Sequence, residues 1–428
     1  MGVPLPSPEP AGEAAFQAQV RRSLRRNYLA HLGHGLLGQT GMRLINAPTF
    51  IPAYVFALSG SDLFVGAVRA VQYFGMFLSP IFGATIIEHR RRVLPVGFLI
   101  GALMRVSILG IALGGLLLAD PWPLYSVFFF LGLFGVFLGV QGVVFNFLIS
   151  KVIPVEVRGR LMGLRNALAG LTATAVALFA GGTLIDGNVL GNGYAATFLL
   201  AFGLTSVGLC LLLFVREPES PEVREPSRLH RRLRELPALL RSDRGFTRYF
   251  LARALAVMGR MSMPFYILYA AEIVPVTGFV LGLLSGSFVL SQSVGNLVWG
   301  VIADRRGFRI VFLAALTLWA LSVMLLMTSQ DLIALTVVFG GIGAGVGGFQ
   351  MSAQNLVLEF GSRENLPMRI AVANSASELV GAFGAIFGGV LAAWLSYVGV
   401  FWVGIAFQVM ALAMVGLFVE EPRRRSSW

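Results

Sequence analysis

About twelve apolar stretches of about 20 residues, separated by short polar or Gly/Pro breaks, follow one another down the chain. Such a segment crosses a hydrocarbon core only as a helix, because no water is there to satisfy an open backbone. The expected spans are Leu32 to Leu58, Leu63 to Ile87, Val93 to Ala119, Leu124 to Ile149, Leu161 to Ile185, Ala195 to Val215, Phe250 to Val274, Phe279 to Ala303, Ile310 to Met327, Leu332 to Leu358, Arg369 to Leu395 and Val398 to Val419. Only 13% of residues are charged and the mean hydropathy is +0.78. Together these place the chain outside soluble domains and predict an all-α integral membrane protein.

The net charge of +12 would suggest nucleic acid as a partner for a soluble chain. Its distribution excludes that. Arginines collect at Arg21, Arg22, Arg25, Arg26, Arg90 to Arg92, Arg158, Arg160, the 216–248 stretch, Arg305, Arg306, Arg309, Arg363 and Arg423 to Arg425, on every second inter-helix segment. The alternate loops hold Asp62, Asp120, Asp186, Glu272 and Asp331 with no lysine or arginine. The positive-inside rule then predicts both termini on the cytoplasmic side of a bacterial inner membrane, multi-pass, with Arg69 placed inside the second span and snorkelling outward.

Residues 1–27 are Pro-rich and then basic, and do not read as a removable signal peptide. The expected organisation is a tail (1–27), a six-helix bundle (28–215), a linker (216–247), a second six-helix bundle (248–419) and a tail (420–428). In the linker, Leu229, Leu233, Leu236, Leu239 and Leu240 fall at helical spacing among arginines and predict an amphipathic surface helix. The single cysteine, Cys210, reads as a packing residue.

Laid over one another with an offset of about 217, the halves bring Gly300 onto Gly83 and Arg260 onto Arg43. At offsets of about 208 and 209, Gln141 and Asn146 meet Gln350 and Asn355, and Asn166 meets Asn374. A guanidinium mid-membrane costs roughly 2.5 to 3.5 kcal/mol or more, so two related by a repeat suggest a paired site. The polar positions of the first, fourth, seventh and tenth spans are expected to line a shared centre.

The stretch Gly300-Val-Ile-Ala-Asp304-Arg305-Arg306-Gly307-Phe-Arg309 resembles the G-x-x-x-D-R-x-G-x-R loop of the major facilitator superfamily, and Pro154 to Gly163 resembles its entry to helix 5. The first-half copy, Gly83 to Arg92, keeps the basic run but displaces its carboxylate to Glu88 and lacks the second glycine. The resemblance implies two pseudo-symmetric six-helix bundles and a transporter working by alternating access. It further implies a charged cytoplasmic gate of Gly300, Asp304, Arg305, Gly307, Arg309, Arg158 and Arg160, with Asp304 at the N-terminus of helix 5. The helix 4 arginine and helix 5 G-x-x-x-G-P run of the drug/proton antiporters are missing.

Arg43 and Arg260 resemble the paired arginines of superfamily members that transport organic phosphates, although the surrounding residues do not follow that group. Two guanidinium forks facing one cavity suit an oxyanion; pairing with carboxylates or backbone carbonyls as structural glue stays open. Glu378, a carboxylate near mid-span, suits a proton carrier, and a permanent structural salt bridge is the alternative. Gln141, Gln350, Asn146, Asn355, Tyr54, Tyr266 and Tyr269 complete the candidate substrate contacts, with packing as the competing role of the tyrosines. Arg105 is expected to be structural, and His31 and His34 to bond at the membrane interface.

The function expected is a secondary active transporter, not an enzyme, for a small organic solute, with an anionic solute and coupling to H+ as the finer expectations. It needs no cofactor and no metal, contacts membrane lipids, binds no nucleic acid and works as a monomer. A drug or lipid exporter of the same superfamily and a non-transporting receptor are the alternatives. No nucleophile, base and metal set is visible mid-membrane.

Overall fold

A computed structural model describes residues 11–87, 89–220, 244–357 and 366–419, and among these every regular element is a helix. Eleven helices are long and apolar enough to span a membrane. The first half contains α1 (Ala11–Asn46), α2 (Phe50–Ser59), α3 (Asp62–Ile87), α4 (Leu94–Leu117), α5 (Trp122–Val152), α6 (Val155–Phe179, running into a π-helical turn at Ala180–Ile185) and α7 (Gly193–Leu211). The second contains α8 (Arg244–Met258), α9 (Tyr266–Ile273), α10 (Gly278–Arg306), α11 (Phe308–Leu326), α12 (Leu332–Leu356), α13 (Leu366–Trp394) and α14 (Tyr397–Phe418).

Two of the expected continuous spans are broken. The span expected at Leu32 to Leu58 divides into α1 and α2 at Ala47-Pro48-Thr49, since Pro48 has no N–H to donate and its ring clashes with the carbonyl four residues back. The span expected at Phe250 to Val274 passes through a 3-10 segment, Gly259–Phe265, that contains Pro264. The breaks occupy matching places in the two halves, immediately after Arg43 and around Arg260. Helix α1 also begins much earlier than expected, at Ala11, so His31 and His34 lie along a helix and not at its end.

Within the first half α1 packs on α6 and α7, α3 on α5, and α4 on α5 and α7; within the second, α12 packs on α10 and α11, and α14 on α8 and α11. Phe134, Phe198, Phe265, Trp319, Phe339 and Phe401 are fully buried in this core. Leu117, Phe129, Leu171, Val207, Leu321, Ile333 and Leu417 point outward, as a lipid-facing surface requires. Cys210 also lies exposed on that outer surface, not packed inside.

The halves meet along two helix pairs, α3 with α13 and α6 with α10. Glycines allow the close approach: a methyl group at Gly66 would run into the Ala385 carbonyl, and one at Gly181 into the Gly278 carbonyl. At the end of α10, Gly307 adopts φ 86°, a conformation that disfavours other residues, and its N–H bonds the Ala303 carbonyl.

The amphipathic helix expected in the linker lies outside the described residues, as do Glu88 and both chain ends. The start of the linker is fastened to the first half. Buried Glu217 accepts from the Val93 and Leu94 N–H groups that open α4 and pairs with Lys151 at 2.8 Å. Asn27 exchanges hydrogen bonds with the Arg216 backbone.

Candidate functional site

A cavity of about 370 Å3 lies between the halves, beside both helix breaks. Arg43, Arg260, Glu378 and Gln350 line it, together with two further arginines, Arg69 and Arg253, and the amides Asn46, Gln72, Gln292 and Gln354. Four guanidinium groups therefore share one chamber with a single carboxylate. Neither ion pair among the described residues, Arg92–Glu219 or Lys151–Glu217, involves these groups.

Each of the two repeat-related arginines crosses to the opposite half. Arg43 Nη1 donates to Ser293 Oγ at 2.5 Å, while that hydroxyl donates to the Val289 carbonyl. Arg260 Nη2 donates to the Tyr73 hydroxyl at 3.0 Å and its guanidinium carbon lies 5.0 Å from the Tyr73 ring centre. The buried Nε of Arg260 has no partner, nor does Oε2 of Glu378. Such atoms are costly to bury unless something else satisfies them.

Arg69 does not snorkel outward. It is buried on the cavity wall, donating to Gln72 Oε1 at 2.7 Å and to the Ala47 carbonyl at 2.8 Å. That carbonyl belongs to the break in the first span, where a helical donor is lost, and a nearby guanidinium meets the need better than bulk lipid could. Gln72 continues the strap to Asn46 at 2.9 Å. Arg253, which the sequence reading passed over, donates to the Ala353 carbonyl and to Asn374 Oδ1 at 2.9 Å. A charged residue inside an apolar span was the available signal.

Six expected contacts lie away from the cavity. Tyr54 stacks on Tyr194 and accepts from Asn192 at 3.2 Å. Tyr266 bonds Ser262 and Trp319 within its own half, and Tyr269 donates to the Met327 carbonyl at 3.3 Å. Asn355 donates to its own helix at Met351, Asn146 is exposed, and Gln141 is buried beside Arg105. The three tyrosines and Asn355 find hydrogen-bond partners on other helical faces, whereas the buried Oε1 of Gln141 has none among the described residues.

Other polar groups serve the interior of the first half. Arg105 donates to the Thr205 and Gly101 carbonyls at 2.6 and 2.7 Å, a structural role as expected. His31 and His34 are buried against Phe145, which Arg165 also covers, and neither ring nitrogen of His31 has a hydrogen-bond partner among the described residues.

The expected gate residues do not meet. Asp304 is exposed and pairs with no described residue; Arg305 and Arg160 are also exposed. Arg158 donates to the Ser150 and Ile153 carbonyls of its own half, and Arg309 to the Gly416 carbonyl at the end of α14. Gly300 faces open space and makes no close helix contact.

A chamber walled by four arginines and one carboxylate, at the junction of two matching bundles, can hold an anion and offer one proton site. Comparison with known proteins agrees with the architecture. The family model of the Major Facilitator Superfamily matches residues 36–270 and 249–428. Uncharacterised proteins of Mycobacterium tuberculosis and Mycobacterium bovis are 30% identical over 203 residues, 46% of this chain; the chain spans only 38% of their length. A crystal structure of a mutant of the nucleoside transporter NupG has a TM-score of 0.68 at 12% identity, covering 94% of this chain and 100% of that one. A second NupG structure has a TM-score of 0.62 at 11% identity, covering 94% and 98%.

Proposed function

The chain belongs to the major facilitator superfamily, and from that premise we propose that it is a secondary active transporter for a small organic anion, with Glu378 as its proton-coupling group. The observation that carries the substrate class is the cavity itself, where Arg43, Arg69, Arg253 and Arg260 face one carboxylate. In a low-dielectric chamber such an excess of guanidinium favours an anion strongly. Arg43 and Arg260 are assigned to the anionic group, Gln350 to the polar body of the solute. A proton taken up by Glu378 removes the one negative charge that competes with the substrate for these arginines.

The charge pattern of the loops supports termini and an Asp304 end on the cytoplasmic side of the cell membrane, with Asp62 and Asp186 outside. The division at residues 216–247 and a monomeric state belong to the same reading. An exporter of apolar cargo fits less well, because Tyr54, Tyr266 and Tyr269 are committed to packing away from the cavity.

The test is a thermal-shift screen of purified protein against organic phosphates, carboxylates, sugars and lipophilic cations. Stabilisation by an anion in the wild type but not in Arg43→Ala supports the reading. Stabilisation by lipophilic cations alone overturns it.

A further inference from the structure

The described hydrogen bonds that join the halves are confined to one side. They begin at the cavity with Arg43–Ser293 and Arg260–Tyr73 and run toward the end that carries Asp62 and Asp186. Between lie Thr49–Ser285 at 2.6 Å and Thr174 to the Gly286 carbonyl at 3.3 Å. Toward the opposite end, where Asp304 is exposed and Arg158 and Arg309 bond only to their own halves, no described hydrogen bond crosses.

At the joined end, both helix pairs finish in a carboxylate of the first half meeting a helix start of the second. Asp186 Oδ1 and Oδ2 accept from the Gly278 and Phe279 N–H groups at 2.5 and 2.8 Å, the first turn of α10. Asp62 Oδ1 accepts from the Tyr397 hydroxyl at 2.8 Å, at the first residue of α14. Each carboxylate sits directly beyond a close glycine crossing, Gly181 against Gly278 and Gly66 against Gly389. The crossings bring the backbones together, but no described hydrogen bond joins the crossing glycines themselves. The carboxylates add directional bonds that must break before the helices can part at that end.

We infer that Asp186 and Asp62 are the two latches that hold the cavity closed on their side, and that releasing them is the step by which it opens there. This goes beyond the substrate reading and needs only that the two halves rock about the cavity. The charged loop at Asp304 belongs to the other side and engages in the opposite state.

The test needs no substrate. In a Cys210→Ala background a cysteine is placed at Gln292, on the cavity wall, in protein reconstituted in sealed vesicles. An impermeant thiol reagent is then applied to the face bearing Ser61. Asp186→Ala and Tyr397→Phe should each speed labelling from that face at least fivefold, and the double variant more, while labelling from the opposite face slows. Tyr397→Phe removes a single hydroxyl, so the test survives if Asp186→Ala folds poorly. Unchanged rates in Tyr397→Phe and in every variant that folds overturn the inference. Faster labelling from both faces also overturns it, since that reports general loosening and not release of a latch.

Discussion

Arg43 on α1 and Ser293 on α10 tie one half of the chain to the other at the cavity wall, 2.5 Å apart. Arg260 returns the gesture to Tyr73 on α3 at 3.0 Å. The two bonds are near-images under the internal repeat, α1 reaching to α10 and the segment between α8 and α9 reaching to α3. Each bond uses one of a guanidinium's five N–H donors, so an oxyanion that takes the others sits directly beside a bond that holds the halves together.

Arg43→Lys should weaken anion binding about tenfold or more although it keeps the charge, because an ammonium cannot reproduce the bidentate fork. Isothermal titration with the anion found in the screen measures it. Equal affinities in Arg43→Lys and the wild type would sink direct contact by Arg43.

Glu378→Gln should abolish accumulation driven by a pH gradient and leave exchange of substrate for substrate intact. The amide keeps the shape and hydrogen-bonding capacity of a protonated carboxyl but cannot release a proton. Counterflow and gradient-driven uptake in proteoliposomes separate the two. Loss of both would return Glu378 to a structural role.

Cysteines at Ser61 and Gln330, in a Cys210→Ala background, should react with an impermeant thiol reagent from outside intact cells, and one at His89 only after permeabilisation. Gln330 is exposed, whereas the neighbouring Ser329 is buried. Labelling at His89 in intact cells would reverse the assigned orientation.

Asp304→Asn should slow transport more than it lowers substrate affinity, since Asp304 pairs with no described residue in this conformation and its proposed role is to hold its own end shut in the opposite one. Initial rates and equilibrium binding, taken on the same preparation, give the comparison. Equal rates in variant and wild type would remove Asp304 from the cycle.

Glu217→Ala should lower the melting temperature substantially. It strands the buried Lys151 ammonium and uncaps two N–H groups of α4, and breaking a buried pair costs about 3–5 kcal/mol. Replacing both members together should cost less, which a double-mutant cycle reads directly.

The sequence carries the architecture in the lengths of its apolar runs and in the offset that superimposes its halves. Arg43, Arg260 and Glu378 could be singled out because a charge inside an apolar span is expensive wherever it points. Polar but uncharged residues offer no such signal. Gln141, Asn355, Tyr54 and Tyr266 lie in the right helices, yet successive positions on a helix turn by about 100° and the sequence does not state which face meets the cavity. Arg69 was misplaced for another reason: its acceptor, the Ala47 carbonyl, exists only because the neighbouring span is broken. The Asp186 latch is equally hidden, since its partners are backbone N–H groups that every residue but proline owns.

The breaks after Arg43 and around Arg260 divide each of these spans into a long shaft, α1 or α8, and a short stub, α2 or α9. Each stub, of ten or eight residues, is set off from its shaft by a proline-bearing segment and anchored in its own half, Tyr54 to Asn192 and Tyr266 to Trp319. Both stubs lie on the latched side of the chamber and pack against each other, so bundles that part there must also part the stubs. The two breaks thus separate what grips the cavity, the shaft ends with Arg43 and Arg260, from what seals it, the paired stubs beyond.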